Sequence, residues 1–211
     1  MEELVKHLRG IGVLKSPQII SAFLAVDRRD FVPAEFGDEA YIDEALSIGH
    51  GQTISQPYTV AFMLELLGPQ SGEIVLDIGS GSGWQTAMLA NIVGGNGKIH
   101  AIEIVLELCE LGKRNVGKYN FVGSGIAEFH CGDGDKPVVG DGEADRIIAA
   151  ASIACRESDK SKCLPENWKC ELKIGGVIVT PIGRSIWKFI KKSEGEFISE
   201  EHPGFVFVPY V

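Results

Sequence analysis

The residues most able to do chemistry lie between Asp77 and Gly83. Ile74-Val75-Leu76-Asp77-Ile78 reads as a buried strand that runs straight into Gly79-Ser80-Gly81-Ser82-Gly83. Glycines there permit a tight strand-to-helix turn and let a ligand come close to the backbone. A helix starting near Trp84 aims its first amides at the same crevice. The third glycine comes one residue earlier than in the dinucleotide pattern, and an acid, Asp77, precedes the first glycine by two residues. A carboxylate in that place repels a pyrophosphate and suits a cationic or amine-bearing ligand. A second strand ends in Glu103, about two dozen residues on, where an acid can accept both hydroxyls of a ribose. S-adenosylmethionine meets these demands, with its sulfonium, its α-amino group, its ribose and no phosphate. After a third strand, Cys131-Gly132-Asp133-Gly134 offers an Asp to accept from an adenine amino group and a glycine that lets the ring approach.

The elements that must position these groups form a repeating pattern. Strands are expected at 73–78, 98–103, 126–130, 145–150 and 176–181, with helices at 83–93, 105–119 and 164–172. Apolar strand runs alternating with helices imply a mostly parallel sheet covered on both faces. Segments 185–192 and 204–210 are expected to close the chain as a strand pair around a polar turn. Upstream, Leu4, Val5, Leu8 and Ile11 recur at helical spacing, and Pro17 and Pro57 each open an apolar-periodic segment. Between them, 27–56 is a polar and aromatic connection, long for a passive loop. The expected architecture is α/β, a three-layer Rossmann-like fold with a helical N-terminal cap. It forms one domain over 1–211, with cap and substrate loop in 1–72 and the cofactor-binding core in 73–211.

Composition narrows the partners. With 211 residues, 45% hydrophobic, the chain can bury a full core. A net charge of -9 argues against nucleic acid or an anionic membrane as partner. The first residues lack the apolar run of a secretory signal, and no stretch reaches the roughly 18 apolar residues of a membrane span, so a cytoplasmic location is expected. Five cysteines without a CxxC pair favour reduced thiols over a metal or redox site, with Cys155 and Cys163 the pair placed to bond on oxidation.

The block Gly51-Gln52-Thr53-Ile54-Ser55-Gln56-Pro57, a helix, and then Val75-Leu76-Asp77-Ile78-Gly79-Ser80-Gly81-Ser82-Gly83-Trp84 together resemble the protein-L-isoaspartate O-methyltransferase family. Asp30-Phe31-Val32-Pro33, Thr180-Pro181-Ile182-Gly183 and Phe207-Val208-Pro209 extend the likeness over most of the chain. The family methylates the free carboxylate of isoaspartyl residues in ageing proteins, and the ester then closes to a succinimide whose hydrolysis returns some normal aspartate. The resemblance implies Ser55 as the active-site serine, with Thr53, Ile54 and Gln56 as the wall between donor and peptide. It implies Asp77, Gly79, Ser80 and Gly81 around the methionine part of S-adenosylmethionine, Glu103 on the ribose, and Asp133 with Gly134 on the adenine. It also implies isoaspartyl peptides and proteins as partners, and the chain is expected to act as a monomer. His50 reads as a loop-structuring group, because an ionised carboxylate needs no base. Ser47 stands where the family usually has proline, and Trp84 where it commonly has tyrosine. The largest departure is 149–165, where the polar segment 152–163 intervenes. The polar segment motivates the alternative of a methyltransferase with another acceptor; a non-catalytic binding protein on the same fold is a further alternative, because fold alone does not prove activity.

Overall fold

The computed structural model of the chain describes residues 1–210; Val211, the last residue of the expected domain, lies outside the described residues. Three helices come first, α1 (Glu2–Gly10), α2 (Pro17–Ala25) and α3 (Pro57–Leu67). Pro17 and Pro57 each occupy a first helical turn, where no amide hydrogen is required. Gly68 ends α3 in the left-handed conformation at φ 61°. Between α2 and α3 the expected loop contains a hairpin, β1 (Leu46–Gly49) and β2 (Gln52–Ile54). Its turn uses positive φ at Gly49, His50 and Gly51. Two strands of three or four residues bounded by glycine carry too little alternation to be recognised from the pattern.

The sheet follows the expected order. β3 (Ile74–Ile78), β4 (Lys98–Glu103), β5 (Ala127–Cys131), β6 (Ala144–Ala149) and β7 (Leu172–Ile182) are parallel, and β8 (Ser185–Ser193) and β9 (Glu196–Pro203) join antiparallel. The spatial order is β5-β4-β3-β6-β7-β8-β9. From β3 the chain runs outward to β4 on one side and later to β6 on the other. Beyond the carboxyl end of β3 is therefore the switch point where open parallel sheets bind ligands.

Alternation along the strands divides the core between the two faces. Val75, Ile99 and Val179 meet residues of α1, α2, α3, α4 (Trp84–Val93) and α5 (Leu106–Gly117). Leu76, Ile78, Ile102 and Ile178 meet Trp168 of α6 (Glu166–Glu171) and Leu164 on the opposite face. This is the expected three-layer Rossmann-like arrangement. No helix among the described residues is long and apolar enough to cross a membrane.

Two expectations need correction. The final strand pair is β8 with β9, so 196–203 pairs with β8, whereas 204–210 forms no strand and makes an isolated bridge from Pro209 to Ser152. β9 is an edge strand exposed on nearly all its residues, so polar side chains are tolerated on both faces and the hydrophobic signal fails. The apolar run from Phe205 to Tyr210 folds over the carboxyl ends of the strands instead, with Ser152 donating to Val208 and Tyr210 to Ser152 through their backbone amides. Finally, four of the five cysteines are bonded, Cys109 to Cys131 and Cys155 to Cys163, with Cys170 free. Cys109 on α5 meets Cys131 at the end of β5 because that helix packs on that strand, a proximity that their spacing of 22 residues does not reveal.

Candidate active site

Gly79, Gly81 and Gly83 all adopt positive φ in the turn from β3 to α4. Gly83, at φ 91°, passes so close to α5 that an added Cβ would lie 2.8 Å from the Val116 side chain and 3.0 Å from the Gly112 carbonyl oxygen. Gly81 faces the hairpin, where its Cβ would meet Ile48 at 3.3 Å. The amides of Gly79 and Ser80 donate to the Ile102 carbonyl on β4, which fastens the loop to the next strand. Glu103 then reaches back. One of its carboxylate oxygens accepts from the Gly81 amide at 2.9 Å and the other from the Val105 amide at 3.0 Å. A carboxylate has about four acceptor positions, so two remain for hydroxyls of a ligand.

Above this loop lies a cavity of about 380 Å³ between the sheet ends, the hairpin and the tail. Of the eleven expected site residues, Thr53, Ser55, Gln56, Gly79, Gly81, Glu103 and Gly134 line it. Among the described residues Glu103 is the one charged lining residue, and no Lys or Arg lines the cavity. A wall of backbone amides, apolar side chains and a single carboxylate does not suit a pyrophosphate. It suits a neutral nucleoside attached to a cation. Ser80, between the lining residues Gly79 and Gly81, has a buried hydroxyl with no hydrogen-bond partner.

The other four expected residues stand off the cavity wall. Ile54 is buried in the core cluster beneath the hairpin. Ser80 is buried next to the lining glycines Gly79 and Gly81 without itself lining the cavity. Asp133 accepts from the Asp135 amide at 2.9 Å, which turns its carboxylate onto its own turn. Asp77 is fully buried, and its two oxygens accept from Gln85 at 2.7 Å and Thr86 at 2.6 Å on α4. Burial pushes its carboxyl up to about 6, against the opposing pull of those two donors. Alternation along β3 explains the direction, since Asp77 points to the α4 face while Ile78 points to the cavity.

Several wall residues were missed from sequence. Ile78, Ile102 and Ala150 follow from the rule that ligands sit beyond the carboxyl ends of parallel strands, a signal that was available. Val206 and Tyr210 were not legible, because that segment reads as a strand. The Tyr210 hydroxyl donates to Asp135 at 2.8 Å, and its ring stands edge-on to Trp168. The tail is thereby pinned over Gly134.

The other side of the cavity is held by Arg28, whose side chain is fully buried. Its guanidinium donates to the carbonyls of Ala40, Ile42, Glu44 and Ser55 at 2.8–3.2 Å and sits 5.3 Å from the Trp84 ring centroid. Burial lowers it to about 10, partly offset by Asp43. Asp43 in turn accepts from the Tyr58 amide at 2.7 Å, and its carbonyl accepts from Gln56. Ser55 is therefore fixed through its backbone, by a planar fork that a lysine cannot reproduce.

A family model described as Protein-L-isoaspartate(D-aspartate) O-methyltransferase matches residues 1–211. The protein-L-isoaspartate O-methyltransferase of Methanopyrus kandleri is 35% identical over 214 residues, covering 100% of this chain and 90% of that one. The enzyme of that name from Dictyoglomus turgidum is 40% identical over 211 residues, covering 99% and 89%. A Plasmodium falciparum chain solved in complex with S-adenosyl-L-homocysteine superposes with a TM-score of 0.83 at 23% identity, over 99% of this chain and 97% of that chain, and shares the fold. With the glycine loop, Glu103 and the Thr53–Gln56 wall meeting around one cavity, and with a match over its full length, this chain belongs to the protein-L-isoaspartate (D-aspartate) O-methyltransferase family.

Proposed function

We propose that this protein methylates the free carboxylate of L-isoaspartyl residues in damaged peptides and proteins, with S-adenosylmethionine as donor. The observation that carries the reading is the cavity itself, in which Gly79, Gly81 and Glu103 face Thr53, Ser55 and Gln56 with no cationic side chain between them. When bound, S-adenosylmethionine supplies an electrophilic sulfonium methyl, so an oxygen–methyl bond forms as the sulfur–methyl bond breaks. Glu103 holds the ribose hydroxyls on its free acceptor positions, and Gly79 and Gly81 give the methionine part close access to the backbone. Ser80 contributes its unpartnered hydroxyl. Asp77 acts from behind the loop, holding α4 through Gln85 and Thr86 and placing negative charge beneath the cation. The Asp133–Gly134 turn borders the adenine, with Gly134 giving the ring room and Asp133 shaping the turn.

Thr53 and Gln56 form the wall between donor and peptide, with Ile54 anchoring it to the core. Ser55 is the active-site serine. Its hydroxyl orients the acceptor carboxylate, which is already ionised at neutral pH and needs no base. Catalysis then reduces to alignment and exclusion of water. His50, at the exposed tip of the hairpin turn, shapes that turn.

We further read the chain as one domain, with the cap and substrate loop in 1–72 and the cofactor-binding core in 73–211, acting as a monomer in the cytoplasm without nucleic-acid or membrane partners. Its two disulfides must then persist against cellular thiols, which a thiol count on freshly lysed protein tests. A second reading keeps the donor and changes the acceptor. It is favoured by the loop closed by Cys155–Cys163, which follows β6 at the carboxyl end of the sheet.

Incubation with methyl-labelled donor and paired isoaspartyl and aspartyl peptides is expected to give base-labile ester on the isoaspartyl peptide alone. Donor binding without transfer to any isoaspartyl peptide overturns the reading.

A further inference from the structure

Away from the cavity, the outer edge of the sheet carries a cluster that methyl transfer does not use. Glu128 and His130 are two residues apart on β5, so their side chains leave the same face of the strand. β4 runs parallel beside it with His100 in register opposite Glu128, which brings a second imidazole onto that face. The Nδ1 atom of His100 lies 3.0 Å from Nε2 of His130, and that nitrogen lies 3.9 Å from Oε1 of Glu128. One ligand atom from each of the three falls within 4.8 Å of the others. A tetrahedral ion with metal–nitrogen bonds of about 2.0–2.1 Å needs nitrogens roughly 3.3 Å apart, so small side-chain rotations suffice.

We propose that His100, Glu128 and His130 form a binding site for a divalent transition-metal ion of the zinc type, clamping the edge strand β5 to β4.

Two imidazoles are borderline donors, and with one carboxylate beside them they suit zinc or cobalt better than magnesium or calcium, which take oxygen ligands. The His100 ring is half-buried between β4 and β5 and presents Nδ1 toward Nε2 of His130. Lys98 pairs with Oε2 of Glu128 at 2.9 Å and also donates to the Gly125 carbonyl, leaving Oε1 turned toward the histidines. Glu128 is exposed, so water completes the coordination from the solvent side. The alternative is a plain hydrogen bond between the two imidazoles, with one nitrogen as donor, which requires no ion.

Calorimetric titration of zinc chloride into the chelator-treated full chain, with its disulfides intact, distinguishes the two. Uptake of one ion per chain is expected, with tetrahedral visible absorption when cobalt replaces zinc and no thiolate charge-transfer band. At about a hundredfold excess over Kd, Tm should rise by about 5–10 °C. His100→Gln and the exposed Glu128→Gln should each weaken binding by about 100-fold or more. Lys98→Met should tighten it, because the cation competing for Glu128 is gone. No uptake by the wild-type chain overturns the proposal. So does binding by either Gln variant with wild-type affinity and stoichiometry, or a cobalt spectrum showing a thiolate ligand.

Discussion

The two sides of the cavity are built by different means. The floor consists of the carboxyl ends of β3 and β4 with their turns, held by backbone hydrogen bonds that the parallel sheet imposes. The opposite side consists of the hairpin, the segment through Ser55 and the tail, none of which belongs to the main sheet. Its order depends on particular side chains reaching backbone atoms, above all Arg28 on four carbonyls and Asp43 on the Tyr58 amide. A floor fixed by topology suits the invariable methyl donor, while a wall fixed by a few side chains can be altered for its acceptor without disturbing the sheet.

Substitutions on the two sides should therefore fail differently. Gly81→Val forces a β-branched residue into positive φ and drives its side chain at Ile48, so donor affinity should fall by about 100-fold or more in calorimetry. Arg28→Met leaves four carbonyls, one buried and three partly buried, short of a donor and should cost about 3–5 kcal/mol in urea unfolding. Arg28→Lys keeps the charge but loses the fork. It should lower kcat about 10-fold or more while donor Kd moves less than about 3-fold. Loss of donor affinity equal to the loss of kcat in the lysine variant would erase the distinction between the two sides.

Asp77 makes the floor sensitive to pH. Its folded value of about 6 lies above the roughly 3.9 of an unfolded aspartate, so the native state holds the proton more tightly. Its contribution to stability is complete below about pH 4, is lost as pH rises through 6, and is level above that. Asp77→Asn should remove this loss and gain up to about 3 kcal/mol at pH 7 in the ligand-free protein, with weaker donor binding. An unchanged difference between variant and wild type from pH 4 to 7 would contradict the assignment. The smallest effect is expected at the rim. Cys155→Ser opens the 152–163 loop, costs about 1–2 kcal/mol and alters peptide KM more than donor Kd.

The same contrast governs how much could be read from sequence. The floor was legible because Ile74–Ile78 and Lys98–Glu103 are apolar strands in a repeating pattern, and because parallel sheets bind ligands at one end. The inward turn of Asp77 was equally deducible from strand alternation, but its acidity drew attention to a ligand first. The other wall was reached only through family resemblance at Thr53–Pro57. Its hairpin strands are too short to show a period, its main support is a single arginine in a polar loop, and β9 has no hydrophobic face. The link from Cys109 to Cys131 depends on how α5 lies against β5, which no local pattern encodes.

Ser55 tests the division of labour most directly, because it lines the cavity on the side proposed for the acceptor. In Ser55→Ala, donor Kd measured by calorimetry should stay within about 3-fold while kcat on an isoaspartyl peptide falls about 10-fold or more. Equal losses in donor affinity and turnover would contradict the assignment of the two sides.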